Sequence, residues 1–232
     1  MEIIRLEDLG ESIIAVSPHD DDAVIGCGGL FSYAKSNGIY TSAVIMTDGR
    51  FGAPYVKNKD ITAKTVKVRK KEANKAYGLI GLDDLSFLGF PDMGLELYKF
   101  FIIEGENGRH IDGSYEKLLS EVRRLKPETM FIPACSEIHE HVDHRSTHEI
   151  SMFVFTFLAD HPVGYDLGKP VEIKNIFEYE VWNKIGEPTH YFELPKEVQD
   201  IKKSAVDEFR SQRRAIKKLE IGWGVEKFRK LC

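Results

Sequence analysis

The stretch that decides the fold runs from Ser12 to Gly29 and reads S-I-I-A-V-S-P-H-D-D-D-A-V-I-G-C-G-G. Ile13 to Val16 is a short apolar run closed by Ser17-Pro18, the pattern of a buried strand. His19 and three consecutive aspartates, Asp20, Asp21 and Asp22, follow at once. From Ala23 the chain reads as a helix in which Gly26, Gly28 and Gly29 permit close packing on a sheet. Strand, polar turn, helix is the unit of parallel α/β sheets, whose ligands collect at the carboxyl ends of the strands. Neighbouring carboxylates repel one another, and a divalent metal relieves that repulsion. The competing reading of the same residues is a solvated acidic turn with Asp21 or Asp22 as helix N-cap.

Working outward, Tyr40 to Met46 is a second strand ending in Thr47-Asp48-Gly49. Arg50 to Asp60 is loop-like, and Ile61 to Ile80 is a basic helix with Val66, Val68, Ala73, Ala76 and Leu79 as its apolar positions, ending near Gly81. Leu85 to Leu88 is a third strand, followed by G-F-P-D-M-G. Leu95 to Gly113 reads as a loop over the strand ends. Ser114 to Lys126 is a helix with Ser114 as N-cap, Thr129 to Pro133 a fourth strand, and a helix extends to about Ala159. Glu172 to Trp182 and Tyr191 to Leu194 are β-prone, and Lys196 to Leu219 is an amphipathic helix. The alternation predicts one domain over residues 1–232, an α/β, Rossmann-like fold with a mostly parallel sheet flanked by helices.

Composition narrows the function. Hydrophobic residues make up 42% and charged residues 30%, and the net charge is −5, so neither nucleic acid nor an anionic membrane is an expected partner. No apolar run reaches the length of a membrane span, and the N-terminus lacks the architecture of a cleavable signal. The three cysteines, Cys27, Cys135 and Cys232, have no paired spacing, which predicts a reduced, cytoplasmic protein.

A second polar cluster follows the fourth strand. His139-Glu140-His141-Val142-Asp143-His144, with His148 beyond it, places four of the eight histidines within ten residues. Two strands parallel in one sheet would bring both clusters to the same edge. Histidine and carboxylate ligands suit zinc or a related divalent ion in a catalytic site, where the metal activates water, a free carboxylate takes its proton and a histidine stabilises the oxyanion. More candidates are present than such a site needs, so the roles stay open at this point. Cys27 and Cys135 read as small buried thiols rather than ligands, and His148 as a supporting residue of the helix face. Gly26-Cys27-Gly28-Gly29 lacks the spacing of a dinucleotide loop.

Pro18-His19-Asp20-Asp21-Asp22 resembles the (A/S)-H-P-D-D-E signature of the PIG-L/LmbE-like metal-dependent de-N-acetylases, and His141-Val142-Asp143-His144 resembles their H-x-D-H motif. The likeness continues in Thr47-Asp48-Gly49, Arg69-x-x-Glu72, Phe87-Leu88-Gly89-Phe90-Pro91-Asp92 and Ser211-Gln212, and so spans residues 12 to 213. It implies removal of an N-acetyl group from an amino sugar or sugar conjugate, with release of acetate. It implies His19, Asp22 and His144 as metal ligands, zinc as the default ion and iron(II) as an alternative. It also implies Asp21 as general base, His141 as oxyanion stabiliser and proton donor, Asp143 as its orienting partner, and Arg69 and Asp92 in the sugar pocket. Asp20 stands where the family has proline, Ala23 where it has an acidic residue, His139 where a tyrosine is usual, and Thr189-His190 near the family's Pro-Asn.

The expected partner is a small amino-sugar substrate, and a homo-oligomer is admitted. Rival readings are a hydrolase of another bond such as a phosphoester, a catalytically silent metal-binding scaffold, and a receiver-like signalling domain. The last lacks the later phospho-accepting aspartate and lysine that it needs. Specificity is expected to reside in Leu95 to Gly113 and around His161 to Pro170.

Overall fold

The computed structural model describes residues 1–52, 59–100, 102–104, 110–135, 141–163, 167–182 and 184–232. His139 and Glu140 of the second polar cluster, and most of the loop after Arg50, lie outside them.

Ten strands are seen among these residues: β1 (Glu2–Ile3), β2 (Ser12–Ser17), β3 (Tyr40–Thr47), β4 (Asp84–Phe90), β5 (Ile102–Glu104), β6 (His110–Asp112), β7 (Thr129–Pro133), β8 (Asn175–Tyr179), β9 (His190–Glu193) and β10 (Val225–Lys230). Eight form one sheet in the order β1-β9-β10-β8-β7-β2-β3-β4, and β5 and β6 make a separate antiparallel pair. The run from β8 to β4 is parallel throughout, and β10 alone runs against its neighbours. The expected mostly parallel α/β fold is therefore observed.

Strand β2 sits in the middle of the parallel run, and every residue from Ile13 to Ser17 is buried. Ile13 and Ala15 face one apolar cluster, Ile14 and Val16 the other, as the two-residue period of a strand requires. Helices α1 (Asp22–Ser36), α2 (Lys59–Ile80) and α5 (Lys196–Asp207) cover the first face. Helices α3 (Ser114–Leu125) and α4 (Val142–Phe153), with the π-helical turn Val154–Leu158, cover the second. At Gly26 a side chain would have its Cβ 2.3 Å from the Tyr179 ring, so only glycine lets α1 lie this close to β8. The Tyr179 hydroxyl then donates to the Val16 carbonyl at 2.9 Å, tying β8 to the end of β2.

The chain proceeds outward from β2 to β3 and β4, then returns to place β7 on the other side of β2. The gap between the carboxyl ends of β2 and β7 is thus the topological switch point, where α/β sheets open a crevice.

Several expectations need correction. Gly113, not Ser114, is the N-cap of α3, and the Ser114 hydroxyl donates instead to the Tyr98 carbonyl at 2.9 Å. Val68 and Leu79 of α2 are exposed, and its buried face is Arg69, Ala73, Ala76, Tyr77 and Ile80. The expected helix Lys196 to Leu219 breaks after Asp207 into a 3-10 turn (Arg210–Gln212) and the short α6 (Arg213–Ile216). The break has a tertiary cause: the Glu72 carboxylate accepts both the amide (3.0 Å) and the hydroxyl (2.6 Å) of Ser211. Leu95 to Gly113 contains a 3-10 turn (Leu95–Tyr98) and the β5–β6 pair rather than plain loop. Among the described residues, no helix is long and apolar enough to cross a membrane.

Candidate metal centre

The turn after β2 and the start of α4 deliver His19, Asp22 and His144 to one buried point. Asp22 Oδ2 lies 3.0 Å from His19 Nδ1 and 3.2 Å from His144 Nε2. These three ligand atoms fall within 4.8 Å of one another. Asp22 is held in place by the His19 amide, which donates to Oδ2 at 2.9 Å. His144 Nε2 is buried with no hydrogen-bond partner among the described residues, because its approach to Asp22 lacks hydrogen-bond geometry. A buried ring nitrogen left so is costly, and a cation between it and the carboxylate satisfies both.

The charges point the same way. His19 Nε2 also meets Asp92 Oδ1 at 3.2 Å and Asp143 Oδ2 at 3.4 Å, so one imidazole faces three buried carboxylates. Burial opposes charging His19, but Asp143, Asp22 and Asp92 outweigh it and hold its pKa well above the ordinary value. For Asp22, burial is outweighed by His144 and His19, and its pKa falls well below the usual carboxylate range. This pocket stabilises positive charge, and the nitrogen and oxygen donors of His19, Asp22 and His144 fit a zinc-like ion.

Asp21 sits beside this set as the N-cap residue of α1, but its side chain makes no capping hydrogen bond. The acidic-cap reading therefore fails for Asp21. Its carboxylate accepts instead from Arg69 Nη2 at 3.1 Å. Burial, and then the charges of Asp22 and Asp20, lift the Asp21 pKa to about 7 against the opposing pull of Arg69. The same Arg69 nitrogen is bonded to Asp20, and Nη1 reaches the Gly49 carbonyl at 3.4 Å. A Cβ at Gly52 would lie 2.3 Å from Arg69 Nη1, so glycine there lets the guanidinium pass.

His141 is the N-cap of α4, and its Nδ1 accepts the Asp143 amide at 3.3 Å. That bond assigns the ring hydrogen to Nε2. Burial, followed by the charges of His19 and His144, lowers its pKa, which favours the neutral ring. The fully buried Asp143 carboxylate is 3.9 Å from His141 Nδ1 and accepts instead from the amides of Met93 (2.6 Å) and Leu95 (3.2 Å). Met93 adopts φ +62 to present its amide, a conformation uncommon for a side-chain-bearing residue. Asp92 accepts the Phe51 amide at 3.0 Å, and Asp48 ties Arg50 to this loop.

A cleft of about 360 Å³ opens over these groups, lined by His19, Asp21, Asp22, Arg69, Asp92 and His141 below. Its walls include Phe51, Met93, Trp182 and Gln212. All eight residues read from the sequence as site candidates thus gather in one region. Phe51, Trp182 and Met93 were missed, because nothing in their spacing ties them to the two motifs. Gln212 was signalled by the Ser211-Gln212 match to the family, and its neighbour Ser211 is anchored by Glu72. His190 lies in β9 against the Phe177 ring, and is not among the lining residues. His148 Nδ1 bonds the Pro133 carbonyl at 3.1 Å, consistent with a supporting position. Cys27 donates to the Ala23 carbonyl and takes no part in the cluster.

Comparison with known proteins agrees with the geometry. The chain is 29% identical over 139 residues to the 2'-N-acetylparomamine deacetylase of Streptomyces fradiae, covering 58% of this chain and 49% of that one. It therefore spans about half the length of that curated relative. The fold is similar to that of the N,N'-diacetylchitobiose deacetylase of Pyrococcus horikoshii, with a TM-score of 0.74 at 20% identity over 97% of this chain and 85% of the other. It is also similar to the 4-carboxy-2-hydroxymuconate hydratase GalB of Pseudomonas putida, with a TM-score of 0.68 at 17% identity over 96% of each chain. One architecture thus carries more than one chemistry, and the fold alone does not choose between them. The sequence does choose a family: residues 14–155, more than half the chain and spanning both polar clusters, match the pattern of PIG-L, the GlcNAc-PI de-N-acetylases, and the chain belongs to that family.

Proposed function

We propose that this protein is a metal-dependent amidohydrolase that removes the N-acetyl group of an amino sugar or sugar conjugate, releasing acetate and a free amine. The observation that carries the reading is the convergence of His19, Asp22 and His144 on one buried point, with Asp21 beside them and outside the ligand set. Zinc is the ion we assign, with iron(II) compatible with the same donors. When bound, the ion would polarise the attacking water and the amide oxygen.

The chain's own residues do the rest. Asp21, lifted by burial above the usual carboxylate range, takes a proton from the attacking water and passes it to the departing amine, a donation that the family resemblance implies for His141. His141, neutral and carrying its hydrogen on Nε2, donates toward the developing oxyanion. Asp143 orients His141 through its backbone amide, while its carboxylate fixes the Met93–Leu95 loop. Arg69 holds Asp21 in position, and Asp92 steadies His19 at the cleft floor. Cys27, Cys135 and Cys232 are in no disulfide, which supports a reducing, cytoplasmic setting.

Acetate release from a panel of N-acetylated sugars, with metal content measured on the same preparation, tests the reading. Metal-loaded protein that frees acetate from none of them would refute it. Release of phosphate from phosphoesters would favour the rival hydrolase instead.

A further inference from the structure

We propose that Trp182 binds substrate by stacking on an uncharged ring attached to the N-acetylated sugar, and that the cleft prefers neutral over anionic aglycones. This rests on the de-N-acetylase reading and names the substrate class within it.

The cleft has two chemically different ends. Its floor is titratable, with His19, Asp21, Asp22, Asp92 and His141, while Trp182, Met93 and Phe51 give its walls an apolar character. Trp182 is 48% exposed and Met93 55% exposed, and both border the same open cleft. A half-exposed indole beside a polar floor offers a flat apolar face and one hydrogen-bond donor, which suits a ring with both C–H and O–H edges. The indole is not on a loose strap. It lies three residues beyond the end of β8, Val181 before it packs on the core, and the Glu180 carboxylate accepts the Ile185 amide at 2.8 Å, so the described backbone before and after it is anchored.

Charge decides the class of ring. Among the described lining residues Arg69 is the only Lys or Arg, and it is 4% exposed and already engaged by Asp20 and Asp21. The three lining aspartates are each engaged, Asp21 by Arg69, Asp92 by His19 and Asp22 in the proposed ligand set, so the apolar wall alone sets the cost of a charged ring. A carboxylate or phosphate seated against Trp182, Met93 and Phe51 would lose its hydration with no free lysine or arginine among the described lining residues to receive it. A neutral sugar ring does not meet that cost.

The sequence contains two tryptophans, so Trp223→Phe leaves Trp182 as the sole indole reporter. Metal-loaded Trp223→Phe protein is titrated with N,N'-diacetylchitobiose and, separately, with N-acetylglucosamine 1-phosphate, following tryptophan emission. We expect saturable change with the disaccharide and at least about tenfold weaker response to the phosphate. In the wild-type background, Trp182→Ala should raise KM for the disaccharide about tenfold with kcat altered less than about threefold, and Trp182→Phe should recover most of the loss. Equal affinity for the phosphate, or an unchanged KM in Trp182→Ala, overturns the proposal. Binding and emission change without acetate release would sink deacetylation while sustaining the stacking role. Acetate release indifferent to Trp182→Ala would do the reverse.

Discussion

Arg69 is ion-paired with Asp20, and both side chains are buried, 5% and 6% exposed. Asp20 stands where the related signature has proline, so this chain adds a second carboxylate to the guanidinium that also holds Asp21 at 3.1 Å. Asp20 therefore acts at one remove, through the residue that positions the proposed base. Arg69→Met should destabilise the protein by about 3–5 kcal/mol, since two buried carboxylates lose their cation. Asp20→Asn combined with Arg69→Met should cost clearly less than the sum of the two single changes, because the pair is coupled. Urea unfolding at pH 7 measures this. Simple additivity would show that the pair contributes nothing.

Asp21 and His144 should separate metal binding from turnover. Asp21→Asn is expected to keep its metal and lose about 10²–10⁴-fold in kcat, the usual worth of a general acid–base group. His144→Ala should lose both metal and activity. Elemental analysis beside acetate release distinguishes them, and a chelator should lower the Tm of wild type but not of His144→Ala. Full activity in either variant removes the role assigned to that residue.

Glu226 supports α1 from the far end of the sequence. Its carboxylate accepts the amides of Gly29 and Leu30, both at 2.8 Å, and pairs with the buried Lys202 ammonium at 2.7 Å. Glu226→Ala should destabilise by about 3–5 kcal/mol, and adding Lys202→Met should recover part of it by removing the stranded charge. Hydrogen exchange at Gly29 and Leu30 should accelerate in the single variant. Unchanged protection at both amides would mean that the carboxylate does not hold the helix.

Cys27 should be inert in the native protein. It is fully packed in α1, and burial, followed by the Glu226 charge, pushes its thiol pKa well up, so little thiolate exists at neutral or mildly alkaline pH. Cys232 is exposed. Alkylation at pH 8 followed by mass spectrometry should label Cys232 quickly and Cys27 only in denaturant. Equal rates at the two sites would show that α1 opens readily.

The central strands and both polar clusters were legible because β2 and β7 are buried on both faces and so read as unbroken apolar runs. The convergence of the clusters followed from topology, since two parallel strands end on the same edge. β10 was not legible: V-E-K-F-R-K alternates, but its buried positions are Glu226 and Phe228, and a glutamate reads as solvent-facing until Lys202 and the α1 amides are seen. The break near Ser211 depends on Glu72, far away in sequence, and helical periodicity carries no trace of it. Within the candidate site, the two motifs announced the titratable floor, whereas Trp182 and Phe51 reach the cleft from turns with no shared spacing. None of the described lining residues comes from Leu95 to Gly113 or His161 to Pro170, where specificity was expected.

Glu226 and Gly29 are 197 positions apart, yet one accepts the other's amide within the helix that carries Asp22. During synthesis the ribosome releases the first polar cluster long before the strand that locks it exists. The emerging chain accordingly holds the beginning of a metal site on a helix not yet pinned. The strand that pins it, β10 between β8 and β9, is among the last elements of the sheet to leave the ribosome.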